Sequence, residues 1–411
     1  MAAQQEMRRF SPGRIALRNI IRLIPAVVIL AATLDMVSCN NNGGLFPEVH
    51  GGGGSHTPTA TPTTGTGALA FVTNFNDGMV SSFTRNTTTG VLKLKGQVTA
   101  GAKKGPKGVV AAPSGGFLYV ANNSDGNIYE FSVNPTNGVL TPLAPPSVSN
   151  GSASGPDELA INPAGTFLWV TGASKGTVTT YAVNSSTGQL TQKSKVIGLS
   201  SPFGIAVDST GAFVYVADHG AGLVFSYSVG ANGALTPIGL PVFDLGSAGG
   251  TPGFIAIDPA GTFIYVTDQN AGVLSIIQTT AGALVFSSTQ PTNTTGNLPL
   301  GIGFSTISGN NFVFTANQGN STMWSFLLTS PGNPAIPVEF GNGDLNVPTG
   351  LVVDPQNAFL YTTNQNAGTV GEFSLNPTCS GAPGPPCFVG SVATENPAKT
   401  GSGPFGITLA Q

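Results

Sequence analysis

The stretch PFGIAVDSTGAFVYVAD at residues 202–218 decides the fold. Two short apolar runs flank the tetrapeptide DSTG, and alternation on either side of a Gly/Asp turn is the signature of two paired β-strands. Both halves recur along the chain. The aromatic half appears as LAFVTN at Leu69, FLYVAN at Phe117, FLWVTG at Phe167, FVYVAD at Phe213, FIYVTD at Phe263, FVFTAN at Phe312 and FLYTTN at Phe359. These starts lie 48, 50, 46, 50, 49 and 47 residues apart. The Pro-led half also occurs seven times, at Pro106, Pro156, Pro202, Pro252, Pro299, Pro348 and Pro404.

Between successive copies stand a turn such as NAGxV, a third strand, a turn such as NTTTG or NPTNG, and a fourth strand opening Leu-Thr or Leu-Lys. Four short strands in about 48 residues is the pattern of a β-propeller blade, and seven copies predict seven blades. The first aromatic strand has no Pro phrase before it, and the last Pro phrase, PFGITLAQ, has no aromatic strand after it. An all-β ring closed by pairing the C-terminal strand with the N-terminal strands resolves both facts and leaves no open edge.

Composition agrees. Only 8% of residues are charged, against about a quarter in an average soluble protein, which excludes coiled coils and charge-driven disorder. Blades are covered on both faces by neighbours, so strand positions are apolar and Thr, Ser and Asn make the surface. Trp169 and Trp324 fall on strands and read as core. The chain carries a net charge of −3, with +3 of it in residues 1–38, so the remainder is mildly acidic. Without a basic stripe, nucleic acid is not an expected partner.

Residues 1–38 read as an export signal: five arginines, then an uncharged run from Leu23 to Leu34 that is too short to span a bilayer. Met36-Val37-Ser38-Cys39 resembles a bacterial lipobox, which implies acylation of Cys39 and a location in the bacterial cell envelope, held to the membrane through a lipid anchor only; ordinary secretion is the alternative. Residues 39–67 read as a Gly/Thr/Pro tether containing His50 and His56, and residues 68–411 as the propeller, expected to be monomeric. Cys379 and Cys387 remain and are expected to form a disulfide across the loop between them.

The phrases PFGIAVDSTGAFVYVAD, NAGxV and NGALTPI, repeated over residues 68–411, resemble the seven-bladed lactonase-type propellers, among them 6-phosphogluconolactonase-like enzymes; the VTN and VAN strand ends resemble YVTN-type propeller repeats. The resemblance implies a lactone hydrolase with Arg, His and Glu around the mouth of the central channel. Here the positions after each Pro are Lys107, Asp157, Phe203, Gly253, Leu300, Thr349 and Phe405, the last arginine is Arg85, and His219 is the sole histidine of the propeller. A phosphorylated substrate calls for clustered cations that these positions do not offer. No GxSxG elbow or Walker loop is present.

The channel mouth is nevertheless where a site can form. Asp157 or Glu158 is a candidate general base, His219 a proton shuttle and Lys107 a carbonyl-polarising cation, with a Lys107–Asp157 ion pair as the structural counterpart. The strand-end ring Asn74, Asn122, Asp218, Asp268, Asn317 and Asn364 is a candidate ligand-binding set, or a set of Asx turns. No cofactor is expected, Ca²⁺ at the acidic mouth being the one candidate metal. Two functions follow as expectations: a binding or scaffolding module for a small polar or sugar-like ligand or an envelope partner protein, and, alternatively, a divergent lactone hydrolase.

Overall fold

The computed structural model describes residues 68–410 except 103, 244–249, 292–297, 308, 335–337, 341–344, 376–387 and 392–397. The export segment, the tether, Cys39 and the Cys379–Cys387 pair lie outside the described residues.

The Pro-led phrases open the innermost strand of seven antiparallel sheets. These strands are Pro106–Ala111, Pro156–Ile161, Pro202–Val207, Pro252–Ile257, Pro299–Ile307 and Pro348–Val353 in blades two to seven, and Pro404–Ala410 in blade one. Each pairs outward with the aromatic strand, then a third and a fourth; in blades four, six and seven the fourth is split into two short pieces. Blade one is completed from both ends of the chain, with Ala410 opposite Leu69 and Ile407 opposite Val72. The protein is therefore a seven-bladed all-β propeller. The one helical turn among the described residues is a single 3-10 turn at Ala173–Lys175.

Seven buried apolar clusters fill the seven gaps between neighbouring blades, one per gap. Leu118, Val120 and Phe131 of blade two, for example, pack on Leu69, Phe71 and Val80 of blade one. Polar tips lock the same interfaces. Tyr119 Oη donates to the Gly188 carbonyl of the next blade at 2.7 Å, Trp169 Nε1 to Gly233 at 3.0 Å, and Tyr361 Oη to Gly90 across the closure at 2.8 Å. The turn that receives Tyr119 needs glycine twice over: Gly188 has φ +75°, and a Cβ there would stand 2.2 Å from the Phe117 ring. Trp169 is fully buried, as read from the sequence, and Trp324 is partly buried on the apolar cluster between blades five and six.

The closure between blades seven and one also holds the propeller's arginine. Arg85 Nη1 lies 3.0 Å from Asp354 Oδ2, both side chains buried, while Arg85 Nη2 donates to Gln356 at 3.2 Å. Asp354 Oδ1 accepts the amides of Ala358 and Phe359, so the carboxylate also shapes its own turn.

Every inner strand carries a bulge directly after its proline. In blade two Pro106 pairs with Asn122 and Val109 with Val120, leaving Lys107 and Gly108 opposite Ala121 alone. The same shift recurs in blades three, four, five and seven, and in blade one between Asn74 and Val72. A bulge leaves a backbone N–H without a ladder partner and re-aims the side chains beside it. In blades one, three, five and seven a threonine supplies the partner. Thr171 Oγ1 accepts the Glu158 amide at 3.0 Å and donates to the Phe203 carbonyl of the next blade at 2.9 Å. Thr73, Thr267 and Thr363 repeat this double bond toward Lys107, Leu300 and Phe405. In blades two, four and six the position is Ala121, Ala217 and Ala316. There the residue two beyond the proline is glycine, and the next blade's carbonyl takes the place a Cβ would need: 2.2 Å for Gly204 against Gly253 O.

Candidate functional site at the channel mouth

Because each proline faces the end of its aromatic strand, the bulged residues and the strand-end ring lie at one end of the propeller. The bulge re-aims the side chain of the residue after the proline. Blades one to four thereby bring Phe405, Lys107, Asp157 and Phe203 together. Lys107 Nζ forms a salt bridge with Asp157 Oδ1 and sits 5.8 Å from the Phe203 ring centre and 5.7 Å from that of Phe405. Asp157 Oδ1 also accepts from Asn123 Nδ2 at 2.9 Å. His219 packs on Phe203 at 6.3 Å between ring centres, and Phe203 meets Phe254 edge-on at 5.2 Å. The four side chains proposed from sequence as catalytic candidates thus gather at one mouth, and Phe203, Phe405, Phe254 and Asn123 join them.

Burial sets the electrostatics. It pushes the Asp157 carboxyl above its ordinary value, against the pull of Lys107 and the Asn123 hydrogen bond. Glu158 is raised further, to about 8, by desolvation and by the neighbouring Asp157 charge. Its Oε1 is buried with no hydrogen-bond partner, although the residue as a whole keeps some exposure where it borders the axial cavity. Glu158 is one of two residues at its register that are not glycine; the other is Phe254. Both send a side chain into the axis where five blades send none. That cavity measures about 60 Å³ and is otherwise lined by Val109, Ile302, Leu351 and Ile407 with glycine backbone. Ligand pockets for drug-sized molecules run to about 300–1,000 Å³.

The strand-end ring is fully buried. Asp218 accepts the amides of Ser200 and Ser201 at 2.7 Å each and of Ala221 at 3.3 Å. Asp268 accepts from Thr251 and Ala271, and Asn74 from Gly401 and Thr400. Asn122 caps Ser124 and Asp125, Asn364 receives the Asn346 amide, and Asn317 bonds Thr315 and Thr322. Asn122 bonds the amide two residues on and Asp218 and Asp268 the amide three residues on, while Asn74, Asp218, Asp268 and Asn364 pin the loop that enters their own blade. A shell of N–H donors around Asp218 does not suit Ca²⁺, which needs oxygen ligands, and no cluster of three metal-ligating side chains occurs among the described residues.

Sequence reasoning named every position after the prolines but left Phe203 and Phe405 unused. The signal was available in their register beside Lys107 and Asp157.

A closed seven-bladed β-propeller is the architecture of the lactonase-type propellers. The family described as "Lactonase, 7-bladed beta-propeller" matches residues 62–206 and 208–382, and the chain belongs to it. Among solved structures, a putative 6-phosphogluconolactonase from Bacteroides uniformis superposes with a TM-score of 0.69 at 14% identity, covering 84% of this chain and 100% of its own. A protein from Lactobacillus plantarum gives 0.68 at 16% identity, covering 84% and 99%. The periplasmic gluconolactonase of Pseudomonas aeruginosa gives 0.64 at 17% identity, covering 84% and 99%. At these identities the likeness is one of fold. No curated protein matches the chain.

Proposed function

We propose that this propeller is a binding module whose channel mouth takes a small, neutral, polar ligand of sugar-like chemistry. The observation that carries the reading is the state of Lys107. Its ammonium is already paired with Asp157 and enclosed by two aromatic rings, so Lys107 is not free to take a phosphate. What it does offer is the half-buried rings of Phe203 and Phe254, with the polar edge of Asn123 and His219 beside them. An aromatic face rimmed by polar groups suits a ligand with an apolar face and hydroxyl edges. The reading includes anchoring through Cys39 at the cell envelope and a monomeric body, both supported by the sequence alone.

Titration calorimetry of the purified protein against neutral sugars and lactones, with their phosphorylated forms alongside, tests it. The neutral ligands should bind, the phosphate should add no affinity, and Phe203→Ala should abolish binding while the fold persists. Tighter binding of the phosphorylated forms would overturn the reading.

A second reading has its own observation. Glu158, raised to about 8 beside Asp157, is poised to carry a proton near neutral pH, and two of the similar structures are named as lactonases. In this reading the protein is a divergent lactone hydrolase. Lactone opening above the spontaneous rate, lost in both Asp157→Asn and His219→Ala, would establish it. Background rates for every lactone would leave the binding module.

A further inference from the structure

The sequence has no basic stripe, but the ring assembles a basic surface from separate blades. Apart from Arg85, which is buried against Asp354, the cations of the propeller are lysines of residues 93–195 and Lys399; residues 196–398 hold ten acidic residues and no lysine or arginine. Four of these lysines stand exposed on the outermost strands of two blades, Lys93 and Lys95 on Leu92–Thr99 of blade one, Lys193 and Lys195 on Leu190–Ile197 of blade three. Lys104 and Lys175 are exposed on loops of blades two and three, and Lys399 on a short strand of blade seven next to Leu92–Thr99. Blades one to three expose no carboxylate to match them. Their acids, Asp77, Asp125, Glu130, Asp157 and Glu158, are all partly or fully buried; Asp77 takes the amide of Ser402 and Asp125 the hydroxyl of Tyr129.

Blade two fills the rim between the two lysine-bearing strands. Its outermost strand, Leu140–Ser149, has no charged residue and carries Pro142, Pro145 and Pro146. It lies beside Leu92–Thr99 on one side, and on the other Gln189 Nε2 of blade three donates to its Ala144 carbonyl at 2.7 Å. Apolar side chains stand exposed among the lysines: Leu94 is 44% exposed between Lys93 and Lys95, Ile197 76% two residues beyond Lys195, and Val139 43% just before Leu140. Lysines and prolines on edge strands keep sheets from pairing edge to edge, but that role requires neither the exposed Leu94 and Ile197 nor the missing carboxylates. A soluble polyanion would satisfy the lysines and leave these apolar side chains in water. A bilayer satisfies both, because anionic headgroups attract lysines near the surface while apolar side chains enter at the acyl boundary. The chain also leads there. Cys39, the expected lipid site, is followed by residues 40–67 and then by Leu69–Asn74 of blade one, the blade that carries Lys93 and Lys95.

We propose that the outer rim of blades one to three is a docking surface for an anionic phospholipid bilayer, with Lys93, Lys95, Lys193 and Lys195 on the headgroups and Leu94, Val139 and Ile197 at the interface. The channel axis then runs along the membrane, and the mouth stays open to water. The docking rests on the reading that puts the chain at an envelope membrane and is independent of the ligand at the mouth.

Every described strand lies within Leu69–Ala410 and the ring closes on itself. The chain from residue 39 onward, with Cys39→Ser, therefore keeps the fold while losing the acylation site and the arginines of residues 1–38. Its binding is measured by co-sedimentation with vesicles of phosphatidylcholine alone and of phosphatidylcholine mixed with phosphatidylglycerol, and by gel shift with double-stranded DNA. The mixed vesicles should bind at least about tenfold more tightly than phosphatidylcholine. Lys93→Gln, Lys95→Gln, Lys193→Gln and Lys195→Gln combined should erase that difference, and Leu94→Ser with Ile197→Ser should weaken binding to the mixed vesicles by about tenfold. Equal binding to the two kinds of vesicle, or binding undiminished in the lysine variant, would overturn the docking surface. Tighter binding to DNA than to the mixed vesicles, or binding undiminished in the apolar variant, would overturn the assignment to a bilayer. Because this chain lacks the acylation site, such a failure leaves the lipid anchor standing, and the anchor is judged separately by the mass of the exported protein.

Discussion

Thr171 and Phe203 sit in neighbouring blades, and the threonine hydroxyl reaches the Phe203 carbonyl at 2.9 Å while taking the amide that the bulge at Glu158 leaves without a partner. One side chain thereby closes a gap within its own sheet and ties that sheet to the next. Replacing Thr171 by Val keeps the shape and strands both backbone groups in the interior. The cost expected is about 1–3 kcal/mol, with Thr171→Ser losing less than half of it; chemical denaturation of the three proteins decides. Equal stabilities for Val and Ser would show that the hydroxyl does not matter.

Where glycine stands second after the proline, it is the neighbouring blade and not backbone angle that leaves no room for a side chain. A Cβ on Gly204 would stand 2.2 Å from Gly253 O. Gly204→Ala should therefore lower the melting temperature sharply, by the equivalent of about 3 kcal/mol. Gly96→Ala, whose Cβ meets nothing nearer than 4.0 Å, serves as control and should be close to neutral.

Two buried acids between blades make stability depend on pH. Glu130 and Glu372 receive the amides of Leu190 and Leu92 from the next blade, and burial raises each from an ordinary 4.5 to about 7. An acid whose folded pKa is raised holds its proton longer in the folded state, so folding is favoured most below about pH 4.5 and the advantage is lost as pH rises through 7. Glu130→Gln with Glu372→Gln should flatten the stability profile over that window, removing at most about 3 kcal/mol of slope per residue. A slope unchanged in the double variant would refute the assignment.

Removing residues 404–410 takes away the innermost strand of blade one and leaves Leu69–Asn74 as an unpaired sheet edge. The ring cannot then close, and cooperative unfolding should be lost altogether, with calorimetric and van't Hoff enthalpies no longer agreeing. An unchanged melting temperature would contradict the closure.

The strand phrases carried the architecture because each blade repeats the same local conflict, a proline that cannot donate followed by a turn and an aromatic run. All seven prolines mark the first residue of an inner strand, and only in blade six does the aromatic strand begin earlier than its phrase, at Asn310. The mouth was legible as a set of positions but not as a set of contacts. That Lys107 reaches Asp157 could be anticipated from adjacent blades; that Phe203 and Phe405 enclose it depends on the closure of the ring and on where the bulge turns each side chain. The alternation of VTN with VAN was visible in the repeats, yet its meaning lies in a carbonyl of the following blade, which no single repeat contains. The strand-end Asn and Asp residues were legible as polar strand ends, but the loops that Asn74, Asp218, Asp268 and Asn364 pin were not, for the same reason.

Threonine and alanine alternate around the ring, and seven is odd. An alternation of period two cannot return to its starting phase on an odd circle, so somewhere two like units must meet. They meet where blade seven joins blade one: Thr363 reaches forward there to the Phe405 carbonyl, Thr73 reaches forward from blade one to Lys107, and Thr349 adds contacts of 2.7 Å to Thr363 and 3.2 Å to the Phe405 carbonyl. The chain itself passes from blade seven into Pro404–Ala410 as it does at every other joint, and its two ends meet instead inside blade one, so the doubled threonine contact falls at the joint that delivers the strand on which the ring's closure depends.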